Sequence, residues 1–187
     1  MHEIVEDALQ TDFIQIEHKT DPHERNGMST IRKKAIEGLC IGDTFIVTRT
    51  FTEKDVVQFG DVTRDYNPIH FDERFAKVKN FRERICHGLL AASMLTEIGG
   101  QIGWLASGMN FRFKKPIYFK DTITCYFTIT DMNERGRAKA TAIYENQEGK
   151  VVLEASLTGI VPGDAERRVL QAMVAEGDPT NRLEKMG

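Results

Sequence analysis

The chain has 187 residues, 41% hydrophobic and 28% charged, enough for one buried core under a soluble surface. Its 25 lysines and arginines face 28 acids, and the resulting formal net charge of -3 argues against a nucleic-acid binder or a ligand of anionic membranes. No apolar run approaches the roughly 18 residues of a membrane span; MHEIVEDALQ lacks the apolar stretch of a secretory leader; and Cys40, Cys86 and Cys125 are scattered without CxxC, which fits a reducing, cytoplasmic setting.

Residues 1–37 are polar and mixed in charge and form an expected N-terminal extension with short helices at its ends. The main domain is expected over 38–162, and a polar tail over 163–187. Gly42-Asp43 is a turn entering a strand over 44–51, with Phe45, Val47 and Phe51 on one face and Thr44, Thr48 and Thr50 on the other. Thr52, followed three residues later by Asp55, is an N-cap close to a capping box, so a short helix follows that fades by about Thr63. Residues 61–86 are charged and irregular, and Asn67-Pro68 breaks any helix there.

The strongest helical periodicity covers 87–103, where Leu90, Met94, Leu95, Ile98 and Ile102 share one side and the rest of the surface is small. Such a helix is buried or wrapped. Four strands follow, over 109–115, 122–130, 138–145 and 151–161, with turn residues between them that make neighbours antiparallel. A short helix over 165–176 ends the pattern. The class is α+β, one sheet curled round one central helix. A single sheet around one helix leaves a face uncovered, which predicts a partner subunit.

Asp65, Asn67, Pro68 and His70 are the sharpest cluster. The Asn-Pro turn can bring a carboxylate and an imidazole five residues apart into one small volume, where together they grip a water molecule. One removes its proton while the other donates one, which is general acid–base catalysis. Taken alone, the same six residues also fit an Asx turn beside a surface or core histidine. His87-Gly88 opens the long helix, where unpaired N–H groups and a small residue suit a substrate carbonyl developing negative charge; close helix–sheet packing explains the glycine as well. Ser93 and Thr96 lie further along. The Thr96 hydroxyl suits a bond to a catalytic carboxylate or a return to its own backbone.

Three segments carry a resemblance to the MaoC-like hot-dog dehydratases, including the R-specific enoyl-CoA hydratases: FGDVTRDYNPIHFD at 59–72, FRERICHGLLAASML at 81–95 and MNFRFKKPIYFKD at 109–121. They stand in the family's order and spacing. The resemblance implies a hot-dog fold that pairs into a homodimer or a dimer of dimers. It implies reversible hydration of a trans-2-enoyl thioester on coenzyme A, with no metal and no cofactor beyond the coenzyme A of the substrate. Asp65 and His70 would activate the water, Asn67 would shape their loop, and the Gly88 N–H would hold the thioester oxygen. Thr96 stands where these hydratases often carry a serine near the catalytic pair, and Ser93 is a further supporting candidate. Arg82, Arg84, Arg112, Lys114 and Lys115 are candidates for the coenzyme A phosphates, and equally suit a solvated strand edge. The alternatives are a hot-dog acyl-CoA thioesterase and a non-catalytic acyl-CoA-binding subunit.

Overall fold

The computed structural model describes residues 29–178, 180 and 181. The segment 1–28 and the last residues of the tail, for which helix and fraying were expected, lie outside them. The described chain opens on α1 (Thr30–Glu37), whose cap Ser29 accepts from the Arg32 N–H. Strand β1 (Thr44–Thr50) leads to α2 (Glu53–Thr63), where the capping box is complete: the Thr52 hydroxyl accepts from Asp55 N–H and the Asp55 carboxylate accepts from Thr52 N–H at 2.7 Å.

The following segment is more ordered than its composition implies. Asn67-Pro68 starts a helix instead of breaking one, because a proline at the first helical position lacks only an N–H that would have no partner there. Asn67 caps α3 (Pro68–Phe71) by accepting from Ile69 N–H at 3.2 Å, and Asp72 caps α4 (Glu73–Val78) by accepting from Arg74 N–H. Proline's effect on the preceding residue is real but falls on Asn67, which is already outside the helix.

The helix expected over 87–103 is split at Ser93 into α5 (Gly88–Ala92) and α6 (Met94–Ile102). Side chains cause the break. The hydroxyl of the fully buried Tyr144 donates to the Ala92 carbonyl at 3.0 Å, Ser93 Oγ donates to the Leu90 carbonyl at 2.6 Å, and Thr96 N–H turns to the Ser93 carbonyl at 2.8 Å. Removing the phenol oxygen by Tyr144→Phe is expected to lower stability by about 1–2 kcal/mol, read from urea denaturation midpoints; an unchanged midpoint would show that this bond carries no weight.

Strands β2 (Leu105–Phe113), β3 (Thr122–Met132), β4 (Arg137–Asn146) and β5 (Val151–Ile160) join β1 in one antiparallel sheet of order β1-β3-β4-β5-β2. Consecutive strands β2 and β3 do not pair as the short-connection rule predicts: residues 114–121 carry the chain past the helices to the far side of the sheet. Ile123, Cys125, Phe127 and Ile129 of β3, Ala140, Ala142 and Tyr144 of β4, and Leu153 and Leu157 of β5 form one core with Met94, Leu95, Ile98 and Ile102 of α6. The other face is polar, and Thr44–Thr128, Thr48–Thr124 and Thr50–Thr122 join hydroxyls across β1 and β3 at 2.9, 3.0 and 2.8 Å. Met109, Phe111 and Phe113 of β2 lie opposite Leu157, Ala155 and Leu153 and continue the apolar side of the sheet to its edge. Uncovered there, Met109 is 42% and Phe113 55% exposed.

Helix α7 (Asp164–Ala175) packs with α1, and α1 with α6. A buried ion pair, Arg32 Nε to Asp178 at 3.4 Å, and a bond from Arg167 to the Glu37 carbonyl at 3.1 Å join the two ends of the described chain.

Candidate active site

The loop after α2 is built by short-range hydrogen bonds. Thr63 Oγ1 donates to the Phe59 carbonyl at 2.7 Å and accepts from Asp65 N–H at 3.3 Å, while Arg64 adopts the left-handed conformation at φ 60°. Asp65 Oδ1 accepts from Asn67 N–H at 3.2 Å, the Asx turn that the bland interpretation requires. That turn uses one carboxylate oxygen and leaves Oδ2 for other work, with half of the side chain exposed.

His70 sits in α3 and is buried. Its Nδ1–H donates to the Ile85 carbonyl at 2.8 Å, the only polarity a carbonyl allows, so the neutral ring keeps its lone pair on Nε2. Burial pushes this imidazole below its ordinary value of 6.5; the bond to the Ile85 carbonyl opposes it in part, the neighbouring His87 adds a smaller lowering, and the Asp65 charge raises it least.

Asp65, His70 and Gly88 line one cleft of about 410 Å³ with Phe113, Lys114 and Lys115. Gly88 is the first residue of α5, and the first N–H groups to find an acceptor in the helix are those of Leu90 and Ala91, both on the His87 carbonyl, so the helix itself gives the Gly88 and Leu89 N–H groups no acceptor. A Cβ at Gly88 would lie 2.5 Å from the Phe113 ring, so a larger residue requires that ring or the start of α5 to move.

The cleft also contains a side chain that sequence reasoning named only as the neighbour of Gly88 and gave no role. His87, 2% exposed, donates from Nε2 to the Asp65 carbonyl at 2.9 Å, and its ring stacks on His70 with centroids 3.8 Å apart and 31° between planes. The available signal was the imidazole at a helix-capping position, where Ser, Thr, Asp or Asn is the usual residue.

Other candidates fall elsewhere. The Ser93 hydroxyl goes to the Leu90 carbonyl and that of the exposed Thr96 to the Ser93 carbonyl at 2.6 Å, so both return to their own helix and neither joins the cleft. Arg112 is not among the cleft's lining residues. Arg84 pairs with Glu53 at 2.8 Å, Arg82 pairs with Glu83 and lies 3.9 Å over the Tyr118 ring, and Lys114 pairs with Glu154 at 3.1 Å. Lys114 and Lys115 alone of the five basic candidates line the cleft.

The cleft also holds groups for two other chemistries. Cys86 lines the cleft, but burial pushes its thiol up to about 12, which leaves no thiolate nucleophile at neutral pH. Donor atoms of Asp65, His70 and His87 lie within 4.8 Å of one another, close enough to approach a metal ion. Binding by all three would require two stacked rings to turn until their in-plane lone pairs converge, and would take His87 Nε2–H from the Asp65 carbonyl.

The profile of the MaoC-like domain matches residues 42–150, more than half of the chain and all of the cleft. A 3-hydroxyacyl-[acyl-carrier-protein] dehydratase of Arabidopsis thaliana, named as mitochondrial, is 28% identical over 140 residues, which is 72% of this chain and 83% of that protein. An (R)-specific enoyl-CoA hydratase of Rhodospirillum rubrum is 29% identical over 125 residues, 65% of this chain and 87% of that protein. Among solved structures, the (R)-hydratase from A. caviae involved in PHA biosynthesis superposes with a TM-score of 0.63 at 27% identity, over 67% of this chain and 99% of that one. The sheet wrapped on α5 and α6 is a hot-dog fold.

Proposed function

As this chain belongs to the MaoC-like dehydratase family, we propose that it is a hydro-lyase that reversibly hydrates a trans-2-enoyl-CoA to the (R)-3-hydroxyacyl-CoA. The observation that carries this reading is one cleft holding a carboxylate, an imidazole with its lone pair on Nε2, and the N–H that opens α5.

The reaction follows from those groups. A water between Asp65 and His70 gives one hydrogen bond to the carboxylate and presents its other proton to His70 Nε2. As its oxygen bonds to C3, His70 takes that proton and the C2=C3 electrons move toward the thioester oxygen. The Gly88 N–H meets the charge developing there. The His70 proton then passes to C2, and the site returns to its starting state. In the dehydration direction each step reverses. Asn67 holds the loop, and Lys115 and Lys114 suit the coenzyme A phosphates.

The carrier, the R product, a cytoplasmic site of action and pairing of two copies belong to the same reading. Three free cysteines fit a reducing compartment. The uncovered apolar residues of β2 favour a second copy on that edge, so light scattering should give twice the mass of the single chain. A crotonyl-CoA assay tests the activity: enoyl absorbance should fall and 3-hydroxybutyryl-CoA should appear. Thiol release from saturated acyl-CoA with no loss of enoyl absorbance would replace this function with a thioesterase.

The pH dependence has a definite sign. His70 must be neutral to take the water's proton, and burial favours its neutral form. The acid limb of kcat/KM assigned to His70 is therefore expected below pH 6.5, the ordinary histidine value. A limb above that value would show that burial does not govern the titration of His70.

A further inference from the structure

The Asp65 loop, the His70 ring and the opening of α5 meet at one side chain. We infer that His87 is a positioning residue, which ties the Asp65 backbone and the His70 ring to the residue preceding Gly88 and so keeps the three groups of the cleft in one arrangement. This rests on the hydratase reading above.

His87 occupies the N-cap of α5 and makes no cap hydrogen bond to it. A serine or asparagine would serve that helix better, so the imidazole is not there for the helix. Its Nε2–H reaches the Asp65 carbonyl instead, across 22 positions of sequence. Because a carbonyl only accepts, the neutral ring carries its hydrogen on Nε2. His70 has the opposite assignment, with Nδ1–H held by the Ile85 carbonyl. Two stacked imidazoles are thus each fixed by one backbone carbonyl, and only His70 presents Nε2 as a lone pair.

Packing fixes the ring as firmly. Phe59 and Phe71 lie at 5.1 and 5.8 Å from His87 by ring centroid, and its Nδ1 is buried with no partner among the described residues. Turning the ring over would put Cε1 in the place of Nε2 and leave the Asp65 carbonyl without its N–H donor. The stack in turn limits rotation of His70, whose other edge the Ile85 carbonyl already holds.

Two substitutions separate the hydrogen bond from the bulk. His87→Phe keeps a ring against His70 and loses the donor; His87→Gln keeps an amide donor of similar reach. With crotonyl-CoA, His87→Phe should lower kcat by about tenfold or more with KM changed by no more than about twofold. His87→Gln should recover kcat to within about threefold of the wild type. Wild-type kcat in His87→Phe, no recovery in His87→Gln, or a loss confined to KM would overturn the inference. Nitrogen-15 NMR of the wild-type imidazoles tests it without substrate or variant: the neutral forms should carry hydrogen on Nε2 of His87 and Nδ1 of His70, and the reverse tautomer at His87 overturns it. A wild-type protein inert toward crotonyl-CoA would instead overturn the hydratase reading, while the NMR result still decides whether His87 holds the loop.

Discussion

Asp65→Asn is expected to lower kcat/KM for crotonyl-CoA hydration by about 10²-fold or more. The substitution is informative because the two carboxylate oxygens have different tasks. Oδ1 accepts from Asn67 N–H at 3.2 Å, and an asparagine carbonyl oxygen can do the same, so the turn survives. The other oxygen becomes an amide nitrogen, which donates and cannot accept the water's hydrogen. Loop geometry is thereby retained while the grip on water is lost. His70→Ala is expected to cost a similar factor, since no other lone pair stands at that place to take the proton. Steady-state rates, with circular dichroism and light scattering as controls for fold and assembly, measure both. Near-normal turnover by purified, folded Asp65→Asn would remove the carboxylate from the mechanism.

Gly88→Ala is the second large effect, expected at about 10²-fold in kcat/KM. The alanine keeps the N–H and adds only a methyl, so any loss comes from geometry. That methyl would stand 2.5 Å from one carbon of the Phe113 ring and 2.8 and 3.1 Å from two others. Either the ring swings into the cleft or the start of α5 shifts; both spoil the approach of a thioester oxygen to the amide. The pair Gly88→Ala with Phe113→Ala removes the ring that the methyl meets and should recover part of the rate. Gly88→Ala at the wild-type rate would show that the Phe113 ring yields to the methyl without disturbing the α5 amide.

Much of this was legible in the linear chain, for reasons that are local. Alternation of apolar residues located the strands, because a pleated strand buries every second side chain in the core. The capping box at Thr52 and Asp55 formed as expected, since its bonds close within one turn. Asp65 and His70 share a cleft because a single proline-initiated turn of helix brings them together. Gly88 joined them through a longer path: it stands out as a small residue at a helix start that suits a developing negative charge, and the order of the DxNPxH and HG boxes strengthens that reading.

What escaped the sequence depended on distant partners. Thr96 was a sound candidate by position, but its hydroxyl found the Ser93 carbonyl within its own helix. At the break beside Ser93 the Ala92 carbonyl accepts from Tyr144, which lies 52 positions away in the chain. The pairing of β2 with β5 is a property of how the sheet closes around the helices, and short connections between neighbours carry no information about it. His87 is the sharpest instance. Its sequence neighbours offered only a helix start, whereas its contacts are Asp65 and His70.

By itself the sequence determined the element types, the apolar faces and the candidate pair Asp65 and His70, because each follows from periods and turns a few residues long, while its three motifs carried the resemblance to the family. Only the tertiary structure decided which imidazole nitrogen is free, which basic residues reach the cleft and what holds the Asp65 loop in register with α5. Those depend on backbone carbonyls and rings brought together from far apart in the chain, and a proton's location on a histidine is settled by the acceptor it faces.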